Sequence, residues 1–145
     1  MSRPGGPVAW RGAAEGEPSG PVGVEFHTFT VLARCARTGR LGVGTATRSL
    51  AVGARVPHVR ARLGAVAIMA IADARLGYMA LRLLELGYKA PAVIDQLVAG
   101  DPYAEYRQLA VIDGDGFSAA RTGKMNRDWA GHRARESYVV LGNYL

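Results

Sequence analysis

Cys35 is the chain's single cysteine, so no disulfide can close within it. Free thiol usage of this kind fits a reducing compartment, and the cytoplasm is the expected location. Long apolar runs are absent too. None approaches the roughly 20 residues that a membrane-crossing helix needs, and the first residues, MSRPGGPVAWRGAAEGEPSG, carry no apolar core of a signal peptide. No membrane partner is expected. The three histidines, His27, His58 and His132, share no metal-ligand spacing with one another or with Cys35. The run GVGTAT lacks the third glycine and the following helix of a dinucleotide fingerprint. DGDG lacks the remaining ligands of a calcium loop. Neither a metal nor a cofactor is expected.

Acidic residues are missing from the whole stretch between Glu25 and Asp73, which holds Arg34, Arg37, Arg40, Arg48, Arg55, Arg60 and Arg62. With a net charge of +6, such a block suits an anionic partner or a solvated basic surface. Aromatics make up only 8% of the chain, and the arginines alternate with apolar residues instead of clustering with rings. The solvated surface is therefore the preferred reading of the block, and a basic nucleic-acid-binding protein is the third-ranked function. The expected partner is a small-molecule substrate or ligand, with an anionic one as the alternative that the arginines would suit.

What the chain does have is enough apolar material for one domain: 49% of its 145 residues. Residues 1–24 are rich in Gly and Pro without periodicity and read as a disordered tail. The ordered domain is expected over 25–145. HTFTVLAR is strand-like, CARTGRLG supplies a turn, and LGVGTAT returns as a second strand. GAVAIMAIA is a short continuous apolar run, suited to a strand buried on both faces. ARLGYMALRLLELGYKA keeps helical spacing at Leu76, Met79, Leu83 and Leu86, with Gly87 as its stop. APAVIDQLVAGD is a second helix with Pro91 in its first turn. RQLAVID and GFSAART flank an Asp-Gly turn, GKMNRDWAGHRARE reads as a polar loop, and SYVVLGNYL is a last strand. The expected fold is α+β, an antiparallel sheet with two helices on one face. Its uncovered apolar face makes a homo-oligomer the expected state.

Trp129 and His132 fall in the polar loop, where packing makes little demand for a large ring or an imidazole, so they read as a pocket wall. Thr122 and Asn143 end their strands, where a polar side chain can face a cleft.

The runs TFTVLARCARTGRLGVGTATRSLAVGARVPHVRARLGAVA, RQLAVID, TG, WAGH and GN, spread over 28–145, resemble the bacterial domain of unknown function 1028. Its members look like Ntn hydrolases. The resemblance implies an αββα sandwich, here expected to be incomplete because the chain stops where relatives continue. It implies Thr28 as nucleophile of an amidohydrolase of unknown substrate. Such a threonine is activated by its own free α-amine, whose pKa lies near 8. Arg48 would lower that pKa by its charge, and Asn143 would help hold the oxyanion. Asp73, where members often carry Asn, joins Trp129, His132 and Thr122 as expected substrate-binding residues. Ile68 and Met69 stand where members often carry Thr-Gln, which makes a catalytically silent ligand-binding or assembly module the second-ranked function.

Overall fold

The computed structural model describes residues 27–127 and 129–145; the tail expected over 1–24 lies outside them. The chain runs β1 (Thr28–Arg34), β2 (Leu41–Ala46), β3 (Pro57–Arg60), β4 (Gly64–Ala70), α1 (Ala74–Glu85), α2 (Ala90–Gly100), β5 (Arg107–Asp113), β6 (Ser118–Thr122), β7 (Gly131–Arg135) and β8 (Tyr138–Asn143). The fold is α+β with two antiparallel four-stranded sheets, ordered β2-β1-β8-β7 and β3-β4-β5-β6.

The single sheet expected from the residue pattern is thus corrected to two, the number of sheet layers in the sandwich that the resemblance implies. β1 does form a hairpin with β2, but its other edge takes β8, from the far end of the chain. Two further strands arise, β3 in the run RSLAVGARVPHVRARL, whose weak periodicity broken by Pro57 predicts a connection, and β7 in the run expected to be a polar loop; each is an edge strand. Pro57 opens β3, where its missing N–H costs least. β7 is only GHRAR, and its short polar sequence suits an edge that must not pair with another chain.

The second sheet is the middle layer. One of its faces, with Val66, Ile68, Leu109 and Val111, packs under Leu76, Leu81 and Leu84 of α1 and Val93, Ile94 and Leu97 of α2. The other face, with Ala65, Ala67, Met69, Ala110 and Ile112, packs against Leu32, Val139 and Leu141 of the first sheet. β4 and β5 are therefore buried on both faces, which is why their sequences are continuous in apolar residues instead of alternating. Burying each large aliphatic side chain contributes about 1.5–3 kcal/mol.

Helix α1 forms where its periodicity places it, rotated from the face expected. Leu76, Gly77, Ala80, Leu81 and Leu84 are buried, whereas Met79 and Leu86 are exposed. The small residues decide the rotation. A Cβ on Gly77 would lie 2.1 Å from the His58 ring, so α1 approaches β3 only because that position carries no side chain. Gly87, at φ 91°, stops the helix as expected, with the Gly87 and Tyr88 amides donating to the carbonyls of Leu84 and Leu83.

The first sheet covers the face of the middle layer for which an oligomer partner was expected. Exposed apolar groups remain on the strands of that first sheet: Phe29, Val31, Tyr138 and Val140. No helix among the described residues is long and apolar enough to cross a membrane.

Candidate functional site

Strand direction gathers the polar residues at one end of the sandwich. β1 begins there and β8 ends there, with Thr28 opposite Asn143 in register. β5 begins and β6 ends there too, with Gln108 opposite Thr122, and β7 begins beside the end of β8. Burial alternates along β1: Thr30 and Leu32 are buried against the middle layer and Phe29 and Val31 are exposed. Thr28 shares the parity of Thr30 and Leu32, so its hydroxyl turns inward. Its Oγ1 lies 2.9 Å from Thr47 Oγ1, and the Thr30 and Thr45 hydroxyls pair at 3.0 Å one step further in.

Behind this pair of hydroxyls lies a polar network around Gln108, a side chain fully shielded from solvent. Gln108 Nε2 donates to Gly142 O at 2.9 Å, and lies 3.1 Å from both Gly131 O and Thr122 Oγ1. Its Oε1 accepts from Asn143 Nδ2 at 2.8 Å. Thr122 Oγ1 in turn lies 2.9 Å from His132 Nδ1. Burial holds the pKa of the His132 imidazole below its ordinary value, although the residue retains solvent contact. The network meets the general demand that a buried amide be hydrogen-bonded at both ends.

The other expected site residues lie around the same end. Trp129 is half-buried just before β7, and its carbonyl accepts from the Leu145 amide at 3.0 Å. Arg48 is exposed in the turn that follows β2. His27, which precedes Thr28, makes a hydrogen bond through Nδ1 to the Tyr144 carbonyl. Asp73 is on the helical side. It caps α1, accepting from the Arg75 amide at 3.0 Å and from the Arg75 guanidinium at 2.7 Å. Those two Arg75 hydrogen bonds hold its carboxyl down at about 2. Arg107, beside Gln108 but facing the helices, stands 4.0 Å from Asp73 and 2.9 Å from Asp101. Burial works to raise the Asp101 carboxyl; the Arg107 guanidinium and the Tyr103 amide outweigh it and lower the pKa.

The basic stretch seen in the sequence is divided in space. Arg48 and Arg55 follow β2 at this end, whereas Arg37, Arg40 and Arg62 lie in turns at the opposite end. Arg60 is paired with Glu85 of α1.

A model of the family of unknown function DUF1028 matches residues 28–145, from the first residue of β1 to the last of the chain. This chain belongs to DUF1028. A DUF1028 protein from Silicibacter pomeroyi, whose crystal structure is known, is 33% identical and superposes with a TM-score of 0.76 over 81% of this chain. That overlap is 52% of the relative, so the chain spans about half the relative's length. A comparison with curated proteins gives no match.

Of the residues expected to form the DUF1028 site, the fold brings Thr28 and Asn143 together on neighbouring strands and joins Thr122 to His132 by a hydrogen bond. It sets Asp73 apart, in an ion-pair cluster with Arg75 and Arg107. Gln108, which links Asn143 to Thr122, was missed. A signal was present: in RQLAVID a glutamine interrupts a run otherwise fit for a two-sided buried strand, and a buried amide needs partners.

Proposed function

We propose that this DUF1028 domain is an Ntn-type amidohydrolase with Thr28 as its nucleophile. The observation that carries the reading is the placement of Thr28: first residue of β1, hydroxyl turned between the sheets, opposite Asn143. The layer order of helices, middle sheet and first sheet supplies three layers of an αββα sandwich in sequence. In this reading, cleavage of the His27–Thr28 bond frees the Thr28 α-amine, which takes the proton of the hydroxyl. Oγ1 attacks the substrate carbonyl, the C–N bond breaks, and the departing amine carries the proton away. Water then hydrolyses the acyl ester to return Thr28. Asn143 has a second Nδ2 proton for the oxyanion. Arg48 contributes positive charge near the amine, and Trp129, His132 and Thr122 line the approach, with Asp73 at its helical margin.

Intact-mass measurement of the purified chain tests the reading. A species beginning at Thr28, lost in Thr28→Ala, and a mass increase on Thr28 with an amide-directed electrophile are the expected results. An uncut chain with no adduct sinks it. The silent-module reading has its own support, because the Thr28 hydroxyl is engaged with another hydroxyl, that of Thr47, which is no stronger a base. Under that reading the chain stays uncut and still takes up a small ligand at this end.

A further inference from the structure

The hydrogen bonds around Gln108 have directions that chemistry dictates. Gly131 O and Gly142 O can only accept, so the atom of Gln108 that lies 3.1 and 2.9 Å from them must be the amide nitrogen. The other atom is then the amide oxygen, and the group 2.8 Å from it must be the donating nitrogen of Asn143. The same reasoning runs down the second arm. Nε2 carries two protons for three acceptors, so one proton is shared between Gly131 O and Thr122 Oγ1, both 3.1 Å away; an amide nitrogen has no lone pair to offer, and Thr122 Oγ1 is an acceptor in that shared bond. Its own proton has one acceptor within reach among the described groups, His132 Nδ1 at 2.9 Å, and donating there satisfies the hydroxyl that an Nδ1–H tautomer would leave without an acceptor. A ring nitrogen that accepts carries no proton, and the imidazole proton is therefore on Nε2.

We propose that Gln108 is a positioning residue of this site: it fixes which atom of Asn143 faces inward and holds His132 as the neutral Nε2–H tautomer through Thr122. The proposal rests on the reading that this end of the sandwich is the site. It also specifies the ligand. Asn143 keeps a second N–H and His132 keeps its Nε2–H, so both arms present donors. The chemistry they suit is an acceptor-rich group, the oxygen of an amide carbonyl or a carboxylate, and not an amine or ammonium. Gln108 touches no ligand itself; a neighbouring apolar residue of similar length would fill the same space and leave both arms without direction.

The test uses the full chain with nitrogen-15 label and long-range proton–nitrogen correlation of the imidazoles. The His132 signals are assigned by their absence in His132→Gln. The expected result is one tautomer at neutral pH, with Nδ1 unprotonated and Nε2 protonated. The chain has four side-chain amides, Gln96, Gln108, Asn126 and Asn143, so their hydrogen exchange can be followed individually. Asn143 and Gln108 should exchange slowly. Gln108→Leu should lose the slow Asn143 exchange and let the Nδ1–H tautomer of His132 appear. Should Gln108→Leu fail to fold, Thr122→Val and Thr122→Ser carry the same test: the first should release the tautomer and the second should retain it. A wild-type His132 protonated on Nδ1, or a folded Gln108→Leu or Thr122→Val chain with an unchanged single tautomer, overturns the proposal. None of these readings depends on turnover. Loss of the Thr28 adduct would end the hydrolase reading while leaving this one standing, and the reverse also holds.

Discussion

Two buried polar side chains of strand β5, Gln108 near its start and Asp113 at its end, are satisfied in opposite ways. At its C-terminal end Asp113 accepts through Oδ1 from the amides of Asp115, Gly116 and Phe117, each at 3.0 Å, and through Oδ2 from the Ala90 amide at 3.2 Å. All four donors are main chain, three of them in the turn that Asp113 itself opens. At the other end Gln108 reaches Asn143 and Thr122 side chains and two carbonyls of the opposing sheet. Asp113 organises backbone; Gln108 organises other side chains. A side chain whose partners are all backbone serves the fold, because nothing further depends on its chemistry. One whose partners are functional groups passes its orientation on to them, and here the last of those groups is an imidazole that retains solvent contact.

The largest expected effect lies at the Asp113 end. Asp113→Ala takes the carboxylate acceptor from four main-chain amides, two of them in buried hydrogen bonds, and should cost about 3–4 kcal/mol, given that hydrogen bonds to a charged group are among the stronger ones. Urea unfolding should show a lower midpoint with an unchanged slope. Asp113→Asn, which retains one acceptor oxygen, should lose less. If Asp113→Ala is tolerated without loss, the contrast between the two ends fails.

Gln108→Leu should be milder, about 1–2 kcal/mol. It removes the polar group together with that group's own desolvation cost, and leaves the Asn143 amide and two carbonyls without it. The same denaturation experiment measures it. A cost equal to that of Asp113→Ala would place Gln108 among the residues that simply hold the fold.

The smallest effect is expected at the exposed margin. The Arg75 hydrogen bonds set the folded Asp73 carboxyl at about 2, below the value near 3.9 of an unfolded chain. A depressed carboxylate adds stability that is complete above about pH 4 and is lost as pH falls through about 2. The thermal midpoint of the wild type should therefore decline across that window more steeply than that of Asp73→Asn. Equal slopes would mean that the Arg75 pair adds nothing to stability.

Among the described residues ten elements make up the sheets and helices, and the ones that alternate or repeat were legible in the sequence. β1 and β2 carry alternation and a turn glycine, β4 and β5 carry continuous apolar runs, and α1 and α2 carry helical spacing with Gly87 and Pro91 at their ends. β3 and β7 were not legible. Edge strands need only one partner, so they tolerate a proline at the start in one case and GHRAR in the other, and neither leaves an apolar signature. Thr122 and Asn143 stood out as polar residues at strand ends, His132 as an imidazole in a run read as a loop, and Thr28 through the family resemblance. Gln108 did not, because it sits inside a strand.

By itself the sequence determined local structure: which segments are extended, which are helical, where each stops, and which family the chain resembles. Those properties depend on neighbours within a few residues, on φ preferences and on side-chain period. Tertiary structure alone decided that β1 would pair with β8, turning one sheet into two. It alone rotated α1 onto Gly77 and Ala80, and brought Gln108 within reach of Asn143, 35 residues away along the chain. Pairing between distant strands is selected by the burial of whole faces, a property of the assembled layers that no single stretch of the chain carries.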